Sequence, residues 1–234
     1  MKVAANGNDP LSGGFYSARD AARLLGIDSV RRVNAWLQGY PRSGAGAVVA
    51  RDYPPGEGEQ TVSFRDLLEI RFLDHFRRQG VSLQHLRRVA EKARVELQSR
   101  HPFALSGVRF VTDRKKVFRE TADETGDKVI LGLVDNQYEM YEAIERVLAR
   151  GVAFDPASHL ATTWHPRAEF PHVVLDPRVA FGRPSIENRN VPTVAIVRLI
   201  KAEGSISRAA RWFGLTDAEA NEAFEFEVNL AKAA

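Results

Sequence analysis

The chain has 234 residues, of which 44% are hydrophobic and 27% charged, values typical of a globular protein with one large or two small domains. It contains no cysteine, which excludes a disulfide framework, a cysteine-ligated zinc site and thiol catalysis, and favours a cytoplasmic location. No apolar run approaches the roughly 20 residues of a membrane helix, so we expect no membrane partner.

Residues 1–14 have no apolar core of the signal-peptide kind and are predicted to be a flexible lead-in. The positive charge lies in the segment that follows. Residues 15–101 contain 15 Lys+Arg against 10 Asp+Glu, a net +5, so the rest carries −2 of the total +3. Fourteen of these basic residues are arginine, which suits phosphate and guanine contacts, although a general preference for arginine over lysine would give the same bias.

A helix-turn-helix is predicted between residues 16 and 38. Ser17 can cap a first helix that carries a stripe of small apolar residues, and Gly26 can end that helix in the left-handed conformation. Asp28 or Ser29 can cap a second helix with a polar outer face. A plain helical hairpin with a solvated face would fit the same residues and stays open as an alternative.

In a helix-turn-helix the second helix enters the major groove, where arginine, asparagine and glutamine read base edges. The residues expected to contact DNA lie on the outer face of this helix and at flanking positions. They are Ser17, Arg19, Arg31, Arg32, Asn34, Gln38, Arg42 and Arg51.

The next segment is predicted to form a β-hairpin, with strands from Ala47 to Tyr53 and from Thr61 to Phe64 and a Gly/Pro-containing loop between them. A hairpin at this position would be a wing that contacts the DNA backbone or minor groove.

Two further helices are predicted after the hairpin, capped by Ser63 and Ser82 and separated by Gly80. The helix-turn-helix, the wing and the segment DLLEIRFLDHFRRQGVSLQHLRRV together resemble the DNA-binding domain of MerR-type regulators. The matching positions are Leu67, Ile70, Phe72, Leu73, Arg77, Gly80, Ser82, Leu83, Leu86 and Arg87. The resemblance implies a winged helix-turn-helix domain over residues 15–101 that binds operator DNA as a dimer.

Residues 102–172 form a predicted middle region. Short β-rich runs from Val108 to Met140 indicate a small antiparallel sheet, Gln137 to Arg150 has helical periodicity, and Phe154 to His172 is proline-spaced and irregular, as in a linker or packed arm.

Three histidines of this region, His159, His165 and His172, lie near acidic residues in the sequence. They lack the short paired spacing of metal ligands, so we expect hydrogen-bonded or solvated loop histidines and no metal site. Trp164 is predicted to be a packing anchor.

Residues 173–234 are predicted to form a compact helical module. It contains a short strand and turn segment, a helix that ends at Gly204, a second helix-turn-helix pattern, and a last helix that begins with a capping box of Thr216 and Glu219. The outer face of the last helix is acidic, which disfavours phosphate contact.

The segment LDPRVAFGRPSIENRNVP and the helices that follow it resemble an antitoxin-associated domain formerly of unknown function. The matching positions are Asp176, Pro177, Gly182, Pro184, Ile186, Arg189, Val191, Pro192, Gly204 and Ser207. The resemblance implies a VapB-type antitoxin whose partner is a PIN-domain ribonuclease toxin. A basic side chain that enters the toxin's acidic metal site could be Arg178, Arg183 or Arg189.

The sequence therefore predicts a mainly α fold with small β elements: an N-terminal winged helix-turn-helix, a central antiparallel β region and a C-terminal helix-turn-helix-like domain. The predicted function is that of a type II antitoxin that neutralises a PIN-domain ribonuclease and represses its own operon, as a homodimer or a larger complex with the toxin. The alternative is a stand-alone MerR-like regulator controlled by a ligand or protein partner. We find no motif of catalytic residues and expect no cofactor.

Overall fold

The structure is a computed structural model, which describes residues 13–40, 44–54, 60–106, 120–121, 123–124 and 150–232. These residues form a mainly α-helical structure with small antiparallel sheets, as the sequence predicted. Nearly all of the predicted central sheet over 108–140 and of the helix predicted over 137–150 lies outside the described residues, as does the candidate Arg42. The described residues 120–121 and 123–124 of the sheet region are helical. No helix in the described ranges has both the length and the apolar composition needed to cross a membrane.

The chain begins with a short strand and two helices: β1 (Tyr16–Ser17), α1 (Ala18–Leu25) and α2 (Val30–Gln38). Both helices start at predicted caps, since the Ser17 hydroxyl accepts the amide of Asp20 at 3.0 Å and the Ser29 hydroxyl accepts that of Arg32 at 3.3 Å. Gly26 ends α1 in the left-handed conformation with φ +63°. Two capped helices joined by a short turn are therefore present in the segment for which a helix-turn-helix was predicted.

The predicted wing is wrong. Among the described residues, the segment from Ala47 to Tyr53 contains no strand, and β2 (Thr61–Val62) pairs antiparallel with β1, with Tyr16 opposite Val62. The Val48 and Val49 amides instead bond to the Trp36 carbonyl at 2.9 and 3.1 Å, and both valines are buried. These apolar residues gain more by packing under α2 than by projecting in a solvent-exposed hairpin.

The next two helices, α3 (Phe64–Arg78) and α4 (Leu83–Glu96), carry the core of the N-terminal half. Ser63 and Ser82 cap them as predicted, and the α4 stripe of Leu86, Val89, Ala90, Ala93 and Leu97 is buried. A 3-10 turn, Pro102–Ala104, covers α3, and the ring of Phe103 stacks on that of Phe72 at 3.9 Å between centroids.

A hairpin formed by β3 (Val152–Phe154) and β4 (Ala161–Trp164) extends into the segment that was predicted to be irregular from Phe154 to His172. The prediction missed it because its strands are short and the register shifts after Ala153. Trp164 is 3% exposed, which confirms it as a packing anchor, and it exchanges backbone hydrogen bonds with Leu175.

The C-terminal module contains a three-stranded antiparallel sheet in the order β5 (Val173–Val174), β6 (Ser185–Ile186) and β7 (Val191–Pro192). Three helices follow: α5 (Thr193–Glu203), α6 (Ile206–Phe213) and α7 (Asp217–Lys232). The predicted capping box is present, because Thr216 accepts the Glu219 amide at 3.2 Å and donates its own amide to the Glu219 carboxylate at 2.7 Å.

Three of the acidic residues on α7, which the sequence placed on an outer face, hold the module together. The Glu222 carboxylate accepts hydrogen bonds from the amide and the ring Nδ1 of His172, both at 2.6 Å. Glu227 accepts the Thr193 hydroxyl at 2.5 Å, and Glu219 lies 3.6 Å from the Arg189 guanidinium. Much of the acidity of α7 is therefore compensated inside the module.

Candidate functional site

The outer face of α2 is the first candidate site, and its position depends on a tightly built inner face. Val33, Trp36 and Leu37 are buried with at most 1% exposure. Ile27 fills the turn below them, and its amide bonds to the Ala22 carbonyl at 2.8 Å. With this face anchored in the core, the opposite face of α2 is fixed toward solvent.

Arg31, Arg32 and Gln38 are exposed on that outer face, as predicted. Arg31 forms no ion pair with a described residue, while the Arg32 guanidinium lies 3.9 Å from the Asp74 carboxylate of α3. A surface pair at this distance is weak and can be exchanged for a phosphate or a base edge. The three side chains form a cationic and polar face with two guanidinium groups.

The remaining predicted DNA contacts are placed less favourably. The side-chain oxygen of Asn34 is buried, which hinders the two-point contact with adenine that asparagine makes. Ser17 is committed to the α1 cap, and half-buried Arg51 donates to the Gln60 side-chain oxygen. Arg19 is exposed in the first turn of α1 and does not lie on α2.

A buried charged cluster that the sequence did not reveal lies beneath the start of α3. His101 Nε2 is 2.7 Å from the Asp52 carboxylate, and Nδ1 is 3.7 Å from the Asp66 carboxylate. Ser63 donates its hydroxyl to Asp52 at 2.8 Å and its amide to Asp66 at 3.0 Å. The three ionisable residues lie 14 and 35 positions apart in the sequence, a spacing that matches no local motif.

The pKa values of the two carboxyl groups in this cluster shift in opposite directions. Burial raises the pKa of Asp66, which is fully buried. Burial also disfavours the Asp52 carboxylate, but the hydrogen bond and charge of His101 outweigh it and lower the pKa of Asp52. The three side chains have the donor types of a metal site, with ligand atoms within 4.8 Å of one another. Asp52 bonds to both Ser63 and His101, so this side of the cluster acts as a brace between the loop and α3. Asp66 Oδ1 and His101 Nδ1 are buried and make no hydrogen bond with described atoms.

The three loop histidines are not gathered into a common site. His159 Nδ1 lies 3.3 Å from the Ser106 hydroxyl, and His165 lies 3.4 Å from Glu187. The hydrogen bond to Glu222, with the charge of that carboxylate, raises the pKa of His172. Each therefore has its own partner, in agreement with the expectation of hydrogen-bonded loop histidines.

The second candidate site is the surface of the C-terminal module, where the three predicted arginines have different surroundings. Arg178 is bound to Asp176 through two hydrogen bonds of 2.9 and 2.7 Å, and this contact raises the pKa of Arg178. Arg189 pairs with Glu219. Arg183 is exposed and forms no ion pair with a described carboxylate.

The same module exposes an aromatic side chain that the sequence analysis placed in no site. Trp212 of α6 is 79% exposed and lies next to exposed Arg211, one turn after exposed Arg208. The sequence held a signal for this exposure, because Ala209, Ala210 and Phe213 follow the i, i+3, i+4 spacing of the buried face and Trp212 lies outside that spacing. An exposed tryptophan with flanking arginines has the composition of an interface hot spot.

The two candidate sites are connected by a buried contact. The Tyr16 hydroxyl, at the start of α1, donates to the Gly182 carbonyl at 2.7 Å, and the Phe15 amide donates to the Phe181 carbonyl at 2.8 Å. Tyr16 is 4% exposed, and burial strongly raises the pKa of its hydroxyl, so it remains a donor at all ordinary pH values. Helix α1 also contacts α7. The N-terminal helices and the C-terminal module thus share one core.

Comparison with known proteins bears on both halves. Residues 173–226 match the family described as "Protein of unknown function (DUF433)". Over 226 residues the chain is 24% identical to "Putative antitoxin VapB45" of Mycobacterium tuberculosis, covering 90% of this chain and 92% of that protein. The crystal structure of Rv2018 from Mycobacterium tuberculosis has 20% sequence identity and a TM-score of 0.67, and the match covers 89% of this chain and 96% of that one. The chain therefore shares a fold with Rv2018 over most of its length.

Proposed function

We propose that this protein is the antitoxin of a type II toxin–antitoxin pair, with a DNA-binding N-terminal half and a toxin-binding C-terminal module. The observation that carries the proposal is that one folded unit contains both the exposed cationic face of α2 and the DUF433-like module. The buried hydrogen bond from Tyr16 to Gly182 connects the two parts. The similarity to VapB45 over 90% of the chain supports the same role.

Operator binding is assigned to α2. Arg31, Arg32 and Gln38 would enter the major groove, where arginine makes bidentate contacts with guanine. Without a wing, the phosphate contacts would come from Arg19, which is exposed at the start of α1. The protein would repress its own operon by binding a palindromic operator as a homodimer. The two α2 helices of such a dimer would enter major grooves one turn of DNA apart, in keeping with the two-fold symmetry of the palindrome.

Toxin binding is assigned to the C-terminal module. The proposed partner is a PIN-domain ribonuclease, whose acidic metal cluster would attract a cation. Among the predicted arginines, Arg183 is favoured because Arg178 and Arg189 are already paired with carboxylates of this chain. Trp212 would add the desolvated aromatic contact that dominates many interfaces.

Co-expression with the neighbouring open reading frames tests whether this protein binds a toxin. We expect a small nuclease to co-purify in a fixed ratio and the arrest of growth caused by that nuclease alone to be relieved. Recovery of this protein without a partner, while it still binds its own promoter, would reject the antitoxin role and leave the stand-alone regulator.

A gel-shift titration with the promoter DNA tests the proposed binding of α2 to the operator. The double variant Arg31→Ala/Arg32→Ala should lose about 2–4 kcal/mol of operator affinity if each guanidinium contributes about 1–2 kcal/mol. The matched control Arg208→Ala/Arg211→Ala removes the same charge from exposed positions on α6 and should bind normally. Equal losses in both double variants would indicate a general charge effect and refute the placement of α2 in the groove.

A further inference from the structure

A cleft of about 570 Å³ lies between the second half of α3 and the segment around the β3–β4 hairpin. Six of its lining residues are cationic or can become so: Arg71, Arg78, Arg150, Arg167, His75 and His165. Only two described lining residues are acidic, Asp74 and Glu169. None of these six residues belongs to the DNA-binding or toxin-binding positions assigned above.

The acidic residues do not neutralise the cleft. The Asp74 carboxylate is 8% exposed, accepts Arg78 Nε at 2.6 Å and faces Arg32 on its other oxygen. Its charge is therefore used by two arginines, one of which lies outside the cleft. Glu169 is exposed at the rim. Arg71, Arg150 and Arg167 consequently outnumber the carboxylates available to them.

Arg71 is held in place at the base of the cleft. Its guanidinium lies 4.8 Å from the centroid of the Trp164 ring, and Nη2 donates to the Arg150 carbonyl at 3.3 Å. Burial, followed by the charge of Arg150, lowers the pKa of Arg71 to about 10. A guanidinium fixed in this way is pre-organised to receive a ligand, since little side-chain freedom remains to be lost on binding.

Two donors in this cluster have no acceptor. Arg71 Nη1 and Arg167 Nε are both buried and make no hydrogen bond with described atoms. A buried donor without a partner is unfavourable, and more so when it is charged. An oxyanion seated between these guanidinium groups would supply the missing acceptors and offset the excess of positive charge.

From this geometry we infer that the cleft is a binding site for a small free oxyanion of the phosphate or pyrophosphate class. Arg71, Arg150 and Arg167 are its ligand-binding residues. The concave shape and the buried donors fit a compact anion better than the cylindrical backbone of duplex DNA. The inference does not depend on the antitoxin role, because anion binding is measurable on the protein alone.

The site has a direct structural link to the helix-turn-helix. Arg78 donates to the Gly26 carbonyl in the turn between α1 and α2 at 2.7 Å, and Asp74 lies between Arg78 and Arg32. An anion in the cleft would compete with Asp74 for Arg78. The bound state would therefore alter operator affinity.

Calorimetric titration of the full chain with inorganic pyrophosphate tests the site. We expect one saturable site, and the variant Arg150→Ala/Arg167→Ala should weaken it by about tenfold or more, since two charge-assisted contacts are lost. The control Arg88→Ala/Arg211→Ala removes the same charge from exposed positions that do not line the cleft, and it should bind as the parent does. Absence of saturable binding, or equal weakening in both variants, would overturn the inference.

Two further measurements locate the ligand. Pyrophosphate should change the tryptophan fluorescence of the parent and not that of Trp164→Phe, because Arg71 stacks on that ring. Arg71→Met, which keeps an apolar side chain over the ring, should retain the fold and lose binding. If the Arg150/Arg167 variant instead loses operator affinity while the parent shows no pyrophosphate binding, the cleft holds DNA phosphate and the small-anion assignment is wrong.

Discussion

Replacing Gly182 with alanine should destabilise the junction between the N-terminal helices and the C-terminal module. Gly182 has φ +83°, and a Cβ built there would lie 2.3 Å from the Tyr16 hydroxyl oxygen and 2.9 Å from the ring carbon that bears it. The left-handed backbone costs an L-residue about 1–2 kcal/mol. Forcing a methyl group into a packed site costs about 1–3 kcal/mol more. The expected loss in the free energy of unfolding is therefore about 2–5 kcal/mol.

A double-mutant cycle with Tyr16→Phe separates the two causes. Tyr16→Phe alone should cost about 1–2 kcal/mol, because the buried Gly182 carbonyl loses its donor. In the double variant the clash with the hydroxyl is gone, so the loss should fall below the sum of the single losses by about 1 kcal/mol or more. Urea unfolding of the four proteins gives these values. Additive losses, or a cost below about 0.5 kcal/mol for Gly182→Ala, would refute the close contact.

Three other predictions test separate features. His172→Asn should be less stable than the parent near pH 5.5 and should match it near pH 9. The pKa of His172 is raised in the folded protein, so its contribution to stability is present while the ring is charged and is lost as pH rises. Urea unfolding at a series of pH values measures this difference. Asp52→Asn should lower the free energy of unfolding by about 1–3 kcal/mol at pH 7. The difference from the parent should disappear as pH falls, because Asp52 of the parent, whose pKa is lowered in the folded protein, becomes protonated. Trp212→Ala should weaken toxin binding by about 2 kcal/mol in calorimetry without changing stability, whereas Val95→Ala, also exposed, should change neither.

The sequence determined the helices of both described halves, because the signals that start and end a helix lie within a few residues of each other. Ser17, Ser63 and Thr216 cap their helices as predicted, and Gly26 ends α1 in the left-handed conformation. The buried face of α4 was also predictable, because the spacing of its apolar residues follows the helical repeat and depends on no other element. The exposure of Arg31 and Arg32 followed from the burial of the opposite face of α2.

Strand partners and charge partners were decided only by the tertiary structure. Thr61–Val62 pairs with Tyr16–Ser17 rather than with the segment after α2, because two-residue strands carry no register signal of their own. His101 meets Asp52 and Asp66 across 49 and 35 positions, and Arg71 meets Trp164 across 93. Such contacts depend on how separate elements pack, and no local pattern encodes that packing. The helices α1 and α2 could therefore be predicted from the sequence, whereas the buried brace, the basic cleft and the junction at Gly182 required the folded chain.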